Sequence, residues 1–451
     1  MSLFIVNLAS FIIGCCFAWT SPAIPRLNGS LEPKHNPLGE DASLTAIEES
    51  WIASLVPLGA AASSLISGVL ADKRGRKEIL IIAVLISIIG FGCMHFANSV
   101  LYICIARMIC GISIGTIFTV VPMYVGEISE DSNRGLLGMF MVLFVMIGIV
   151  FTYGVGSVVT LNTLNLLNFI APVLFMITFD WFVPESPHWL ISKKEFNKAE
   201  KSLTKLRSQY PQDKISSELE QIKTNIEEEL KNKSSLKDIL TKKEFLKGIF
   251  ITCGLVLFQQ LSGINIILFY MHSIFEETGS SLSPDLSAII ISLVQVVACV
   301  ISSILVDHLG RRILLLFSSV GMCLSIIAFA VYFYLKEVND NVENIFWLPI
   351  LSIVCFMIAY AAGFGPIPFV ILGELFPQQT KSFASTVTIF VCLMGTFCTT
   401  TFFPMLVIYL GMAYTFLLLA VCCFVSLIFT FVFIPETKGK SLIEIQELLK
   451  K

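Results

Sequence analysis

Twelve apolar segments, each 20 to 29 residues long, take up most of the chain and constrain its fold more than any other feature. A helix of about 20 apolar residues crosses the roughly 30 Å hydrocarbon core of a bilayer. A helix also satisfies its own backbone hydrogen bonds there. We therefore predict an all-α polytopic membrane protein. The predicted spans are 3–24, 51–71, 78–97, 101–125, 137–159, 163–183, 247–275, 285–306, 313–335, 345–372, 383–408 and 411–434.

The composition supports this reading and excludes other classes of protein. Charged residues make up only 14 % of the chain, whereas soluble domains carry about a quarter. A soluble multi-domain enzyme, a disordered chain and a coiled coil are thereby excluded. The net charge of −3 does not indicate a nucleic-acid partner. The Cys and His residues show no metal-ligand spacing, so we expect no metal and no cofactor. We expect a chain that lies in the lipid bilayer and works as a monomer.

A hydrophilic stretch, residues 184–246, divides the spans into six and six. Charges alternate at helical spacing in 193–208 and 212–233, which predicts short helices there. The predicted organisation is therefore a six-helix half (1–183), a helical linker (184–246), a second six-helix half (247–434) and a short tail (435–451).

Charged motifs recur in both halves in the same order, at offsets of 235, 247 and 251 residues. Such a recurrence indicates a duplicated six-helix unit. The pairs are Asp72 and Asp307 after spans 2 and 8, Glu127 and Glu374 after spans 4 and 10, and Glu185 and Glu436 after spans 6 and 12.

The distribution of Lys and Arg predicts the orientation in the membrane. One set of loops holds 26 of the 30 basic residues, and basic loops stay in the cytoplasm. Both termini and the linker are therefore predicted to be cytoplasmic, in a protein of the plasma membrane. The opposite loop, 25–50, carries the sequon Asn28-Gly29-Ser30, so we expect glycosylation of Asn28.

The repeated charged motifs also predict a gating network on the cytoplasmic side. Gly75 and Gly310 permit a sharp turn with positive φ. The arginines that follow can reach carboxylates at neighbouring helix ends, and such pairs can hold the two halves together in one state and release them in another. The alternative is that these residues are topology signals only. The predicted network comprises Asp72, Arg76, Lys77, Glu127, Arg134, Glu185, Asp307, Arg311, Arg312, Glu374, Lys381 and Glu436.

Uncharged polar side chains lie in the middle of spans 7 and 8. Gln259, Gln260 and Asn265 lie in span 7, and Gln295 lies in span 8. Buried amides are costly unless they find partners. They offer donors and acceptors without charge, which suits a neutral polyol. In span 10 two glycines and two prolines interrupt the helix, and Phe369 offers an aromatic face. The alternative is that the amides only bond between helices.

Span 4 begins with Arg107, which is followed by Gly111 and Gly115 on one small-residue face. We expect a neighbouring helix to approach that face closely. For Arg107 itself, snorkelling outward and a functional role both remain open.

The motifs resemble the sugar porter family of the major facilitator superfamily. The resemblance implies the twelve-helix major facilitator fold, a hexose site formed by Gln259, Gln260, Asn265 and Gln295, and sugar transport. The strings that carry this resemblance are Arg107–Gly115, Pro184–Leu190 (PESPHWL), Gln259–Asn265 (QQLSGIN), Gly365–Pro368 (GPIP) and Pro435–Gly439 (PETKG), together with the paired charged motifs above. Two further strings, Ser21–Pro25 in span 1 and Trp51 with Pro57–Gly59 in span 2, are similar to insect facilitated trehalose transporters.

Five positions depart from the glucose-carrier pattern of that family and leave room for a different or larger sugar. They are Val142, Ala361, Phe369, Lys381 and Cys392. Spans 1, 5, 7 and 11 contain no Asp or Glu, and span 3 has only Glu78 at its first position, whereas ion-coupled carriers usually hold an ionisable group in the membrane. We therefore predict facilitative uniport of trehalose or a hexose such as glucose. A proton-coupled symporter and a non-transporting sugar sensor are the alternatives, and an intramembrane enzyme is disfavoured.

Overall fold

The computed structural model describes residues 2–29, 36–39, 43–129, 134–207, 210–231, 242–279, 282–338, 343–376, 378–438, 440 and 442–450. Across those ranges the regular secondary structure is helical. Ten segments are long and apolar enough to cross a bilayer. The last of them, Thr380–Phe433, holds two spans because the chain turns at Gly411, where φ is +78°. The shorter apolar helix Phe140–Gly156 completes the set of twelve.

Most of the spans are helices that extend a few residues beyond the apolar segments. Span 2, for example, was predicted to end at residue 71 but continues to Arg74, because its last charged turn projects beyond the apolar layer. The first half consists of Ser2–Ala18 with Thr20–Leu27, Ala46–Arg74, Arg76–His95, Val100–Ile128, Arg134–Gly156 and Leu161–Phe182. The second half consists of Lys243–Leu261 with Ile264–Thr278, Pro284–Leu309, Arg311–Val338, Leu348–Ala362 with Ile367–Leu375, and Gln378–Phe433.

The described part of the linker contains three helices, α1 (Pro187–Ser192), α2 (Phe196–Leu206) and α3 (Gln212–Lys231), and a further helix, α4 (Leu442–Lys450), follows span 12. Helices α2 and α3 lie where alternating charges predict them. Helix α1 was not predicted, although Ser186 accepts from the Trp189 N–H at its start and Pro187 is its first residue. We call the end of the bundle that carries α1–α4 the linker end.

Each half has its own apolar core. Trp19, Phe91 and Phe175 are fully buried in the first, and Phe329 and Phe356 are fully buried in the second.

Spans 2 and 4 pack at very short range, as the small-residue face predicts. A Cβ atom on Gly111 would overlap with the carbonyl of Val56, and one on Gly115 with that of Ala60. Arg107 lies at the same interface and does not snorkel outward, since none of its surface is exposed.

The Arg107 guanidinium is held by oxygen atoms of spans 1 and 2. It donates to the carbonyls of Ile52 and Cys16 at 3.0 and 2.8 Å and to Thr20 Oγ1 at 2.7 Å. Its carbon centre lies 5.0 Å from the ring of Trp19. The arginine therefore joins the first, second and fourth spans of the first half.

Candidate functional site

The polar residues of span 7 lie at a break in the helix. The first helix ends at Leu261, Gly263 takes a left-handed conformation with φ of +90°, and a new helix begins at Ile264. Gln259 and Gln260 therefore lie in the last turn of one helix, and Asn265 lies in the first turn of the next. This break brings three amides close together at mid-span.

Span 10 is broken at the same level, between Ala362 and Ile367, as the Gly-Pro pattern predicts. A broken helix leaves carbonyl groups without helical partners. Gln259 satisfies them, because its Nε2 donates to the carbonyls of Phe364 and Gly365 at 2.6 and 3.2 Å and to Tyr360 Oη at 3.1 Å. Gln259 thus joins the two broken helices.

Gln260 lies at the centre of the polar cluster. Its Nε2 donates to Gln259 Oε1 at 3.0 Å and to Cys392 Sγ at 3.1 Å. Its Oε1 accepts from the Nδ2 of Asn265 and from Thr396 Oγ1, the latter at 3.1 Å. All four hydrogen-bonding positions of this amide are therefore occupied by spans 7 and 11.

Gln295 differs from the other amides in one respect. Its side chain is buried, with 1 % of its surface exposed, and its Oε1 accepts no hydrogen bond from the described residues. Phe369, the predicted aromatic contact, is half-buried and lies 6.2 Å from the ring of Phe118 in the first half. Span 8 thus offers a buried acceptor without a described donor, and Phe369 forms an aromatic contact between the two halves.

The two halves contact each other near the cluster and at the end opposite the linker. The Phe17 and Phe269 rings are 5.6 Å apart, and Tyr153 Oη donates to the Leu268 carbonyl. Because Tyr153 belongs to span 5 and Leu268 to span 7, this bond crosses between the halves.

Further contacts close the seam at that opposite end. Ser50 Oγ donates to the Thr401 carbonyl at 2.7 Å, and the His272 N–H donates to Ser21 Oγ at 3.1 Å. In this structure the two halves are therefore joined at the end away from the linker.

At the linker end of the first half, Arg76 connects three helix ends. Its Nη2 lies 2.9 Å from Asp72 Oδ1 and 2.8 Å from Glu127 Oε1. Glu185 accepts from the backbone N–H groups of Arg76 and Lys77, the first two residues of span 3. Gly75 has a φ of +109°, and a Cβ there would overlap with the Glu185 carboxylate. The turn therefore needs glycine for both its backbone angle and its contact.

The second half repeats this arrangement. Arg311 Nη2 lies 2.9 Å from Glu374 Oε1. Glu436 accepts from the N–H groups of Arg311 and Arg312 at 3.0 and 3.1 Å. Gly310 has a φ of +92°, and a Cβ there would lie 2.9 Å from the Glu436 carboxylate. Each glutamate is an anion at a helix N-terminus, where the helix dipole favours negative charge.

The next basic residue completes the repeat in each half. Lys77 Nζ donates to the Asp180 carbonyl at 2.8 Å and lies 2.9 Å from Asp180 Oδ1. Arg312 Nη2 donates to the Phe431 carbonyl at 2.6 Å. Each of these contacts, like those of Arg76 and Arg311, joins groups within a single half.

The two repeated glutamates have different acidities. Burial raises the pKa of the Glu185 carboxyl above its usual range, and the backbone N–H groups oppose the rise only in part. Burial also acts on Glu436, but the N–H groups of Lys438, Arg311, Arg312 and Thr437 outweigh it and leave the pKa of that carboxyl lowered. As the pH falls, Glu185 therefore takes up a proton before Glu436 does.

The remaining predicted residues have different surroundings. Lys381 Nζ comes within 3.7 Å of the point where a Cβ on Gly373 would lie, next to Glu374. The side chains of Arg134 and Asp307 lie outside the described residues, although their backbones are helical. Asn28 is half-buried; its Nδ2 donates to Glu49, and its Oδ1 accepts from the Leu44 N–H at 2.7 Å.

Three side chains of the cluster were not predicted as site residues. Tyr360 and Thr396 bond the amides directly, and Cys392, noted only as a departure from the family pattern, accepts from Gln260. Tyr360 could have been found, because it lies a few residues before the break in span 10. Thr396 gives no such signal, since hydroxyl side chains recur along span 11 and most bond their own helix.

Comparisons with known proteins identify the family. The family model described as "Sugar (and other) transporter" matches residues 2–449. The chain is 34 % identical over 442 residues to the facilitated trehalose transporter Tret1 of Apis mellifera ligustica, which covers 98 % of this chain and 86 % of the relative. It is 33 % identical over 446 residues to Tret1 of Bombyx mori, which covers 99 % and 86 %.

The fold agrees with that of solved sugar carriers. The partially occluded inward-open structure of the xylose transporter XylE from E. coli superposes with a TM-score of 0.80 at 21 % identity, over 98 % of both chains. XylE bound to 6-bromo-6-deoxy-D-glucose superposes with a TM-score of 0.78 at 22 % identity, over 99 % of this chain and 98 % of the other. The chain is thus a multi-pass membrane protein of the major facilitator fold, and it belongs to the sugar transporter family and not to an enzyme family.

Proposed function

We propose that this protein carries a neutral sugar across the membrane by facilitated diffusion, through alternating access of its two halves. The observation that carries the proposal is the cluster of Gln259, Gln260 and Asn265 at the broken centres of spans 7 and 10, together with the unpaired Gln295 acceptor. Amides bind hydroxyl groups without requiring a charge on the cargo. A neutral polyol is therefore the substrate class that fits this site.

The hydrogen bonds of the cluster indicate how a sugar would be recognised. Gln259 and Gln260 bond neighbouring protein groups, whereas Gln295 Oε1 has no donor among the residues that the structure describes. A buried unpaired acceptor costs about 1–3 kcal/mol, so a sugar hydroxyl that donates to Gln295 would gain that amount. Asn265 and Phe369 are both half-buried, and we propose that they complete the site.

We propose trehalose as the first sugar to test and glucose as the second. The relatives in honeybee and silkworm are named facilitated trehalose transporters. Some positions depart from the glucose-carrier pattern, and they support a sugar other than glucose. Ala361 and Cys392 are smaller than the polar residues that the pattern has at these positions, which leaves room for a larger sugar.

The transport cycle we propose moves residues 1–183 against residues 247–434. The charged contacts of Arg76 and Arg311 each stay within one half, so they would keep each half rigid at its linker end while the seam between the halves opens. We further propose that the linker and both termini are cytoplasmic, that the protein acts as a monomer in the plasma membrane, and that Asn28 is the glycosylation site. Since the Asn28 amide bonds Glu49 and Leu44, a glycan there would have to be added before this loop folds.

A counterflow assay with a panel of sugars tests the proposed substrate. Proteoliposomes preloaded with unlabelled trehalose should take up labelled trehalose at a saturable rate, and glucose should compete less well. Sorbitol-loaded vesicles and vesicles without protein are the controls. Labelled sugar that enters only at the rate of empty vesicles, for every sugar in the panel, would contradict sugar transport.

A further inference from the structure

The lipid-facing side of span 6 ends directly beside the linker. Its exposed apolar residues include Ile170, Leu174, Ile177 and Trp181, at successive separations of four, three and four residues, so these four form one stripe along the helix. Trp181 is 79 % exposed and lies at the linker end of the stripe. Tryptophan is enriched where the bilayer meets water. Trp181 therefore marks the level at which lipid headgroups lie.

Helix α2 is attached at this same level. Lys205 Nζ donates to the backbone carbonyl of Trp181 at 3.0 Å. Ser202 Oγ donates to the Glu185 carbonyl at 2.5 Å, just after span 6. On the opposite face of α2, Ala199 packs against α1 and α3, and Leu203 is also buried. The exposed face of α2 is consequently held beside the end of the lipid-facing stripe.

That exposed face contains a shallow, wide-open groove formed by side chains of α2 alone. The residues that line it are Asn197, Glu200, Lys201, Thr204 and Lys205, and all five are exposed. Glu200 Oε1 accepts from Gln212 Nε2 at 3.3 Å, which joins the carboxylate to the start of α3.

The charges of the linker are segregated in a way that suits an anionic bilayer surface. Residues 193–207 carry six Lys and Arg and two Glu, whereas residues 212–231 carry six Asp and Glu and three Lys. The basic segment is the one joined to Trp181. Basic groups near a negatively charged leaflet each gain about 1 kcal/mol.

We propose that this groove on α2 binds the headgroup of phosphatidylserine. Lys201 and Lys205 would bind the phosphate and the carboxylate of the headgroup, and Glu200 would bind its ammonium group. A headgroup with negative charges alone would place one of them against Glu200, which is why we choose serine over glycerol or inositol headgroups. In cells the site requires the linker to face the leaflet that holds phosphatidylserine, so in that respect it rests on the orientation proposed above.

The test measures thermal stabilisation of the purified full-length chain in detergent by added phosphatidylserine, phosphatidylglycerol and phosphatidylcholine. We expect phosphatidylserine to stabilise the protein at a concentration at least about tenfold lower than phosphatidylglycerol, a difference of about 1.4 kcal/mol in binding. The double variant Lys201→Gln with Lys205→Gln should lose this stabilisation. Glu200→Gln should reduce the response to phosphatidylserine to that of phosphatidylglycerol. Lys214→Gln, an exposed lysine on α3, is the matched control and should behave as the wild type.

Three results would overturn the proposal. They are equal stabilisation by all three lipids, an unchanged response in the double lysine variant, and equal responses to phosphatidylserine and phosphatidylglycerol with Glu200 intact. The assay contains no sugar and measures no flux, so its outcome is independent of whether the proposed transport function is right.

Discussion

Sugar flux through the Gln260→Leu variant is expected to fall to the level of empty vesicles, at least about 100-fold below the wild type, which corresponds to about 2.7 kcal/mol. Leucine would remove the hydrogen bonds that Gln260 makes with Gln259 Oε1, the Asn265 amide and the Thr396 hydroxyl. Each such hydrogen bond contributes about 0.5–1.5 kcal/mol, and a buried group that is left unpaired costs about 1–3 kcal/mol. The measurement is initial uptake of labelled sugar in proteoliposomes with equal amounts of reconstituted protein.

The Gln295→Leu variant tests whether Gln295 binds the sugar or stabilises the fold, because the first role affects KM and the second affects the melting temperature. Gln295 Oε1 has no partner among the described groups, so its loss should not lower the melting temperature. It should instead raise KM about tenfold, the value of one hydrogen bond to the sugar, about 1.4 kcal/mol. Gln221→Leu, at an exposed position of α3, is the matched control and should change neither quantity. Full transport by Gln260→Leu, or an unchanged KM in Gln295→Leu, would contradict the proposed site.

Arg76→Ala is expected to lower kcat at least about tenfold and to leave KM within about twofold of the wild type. Breaking a buried ion pair costs about 3–5 kcal/mol, and this pair joins the helix ends at the linker end and not the sugar site. Arg76 is only 8 % exposed and bonds both Asp72 and Glu127. Its loss would separate the ends of spans 2, 3 and 4 without touching the amide cluster. The measurement is the dependence of initial flux on sugar concentration.

Arg74, the last residue of the span 2 helix and two positions before Arg76, offers a control. Its ion pair with Glu78 is 3.7 Å long and both side chains are mostly exposed, so it contributes little. Arg74→Ala should therefore retain wild-type kinetics. If Arg74→Ala and Arg76→Ala reduced kcat equally, positive charge at this end, and not the buried network, would explain the effect. Arg311→Ala should reproduce the loss seen in Arg76→Ala, since Arg311 makes the equivalent contact with Glu374.

Much of the fold could be predicted from the sequence because the bilayer restricts the alternatives. Apolar runs of the right length have to be helices, and their number gives the fold class. The turns at Gly75 and Gly310 were also predictable, since a repeated Gly-Arg motif after a helix indicates a positive φ. The ends of the helices were predicted less accurately, because helices such as span 2 continue into water beyond the apolar layer.

The site could be predicted only as a set of polar residues in span 7. Its partners depend on how the spans pack, as the bond from Gln259 to the Phe364 carbonyl illustrates. That carbonyl is available only because span 10 breaks at that point. The charged network shows the same limit: the sequence places an arginine near each glutamate but does not specify that Arg76 and Arg311 bond within their own halves.

The most direct test of the central claim is the steady-state distribution of labelled sugar across proteoliposomes with and without an imposed proton gradient. A neutral cargo carried by uncharged amides should reach the same concentration inside and outside under both conditions. A saturable uptake that ends at equal concentrations is the result we predict. Accumulation of sugar inside the vesicles, driven by the proton gradient and abolished by a protonophore, would contradict facilitated diffusion and establish a proton-coupled symporter.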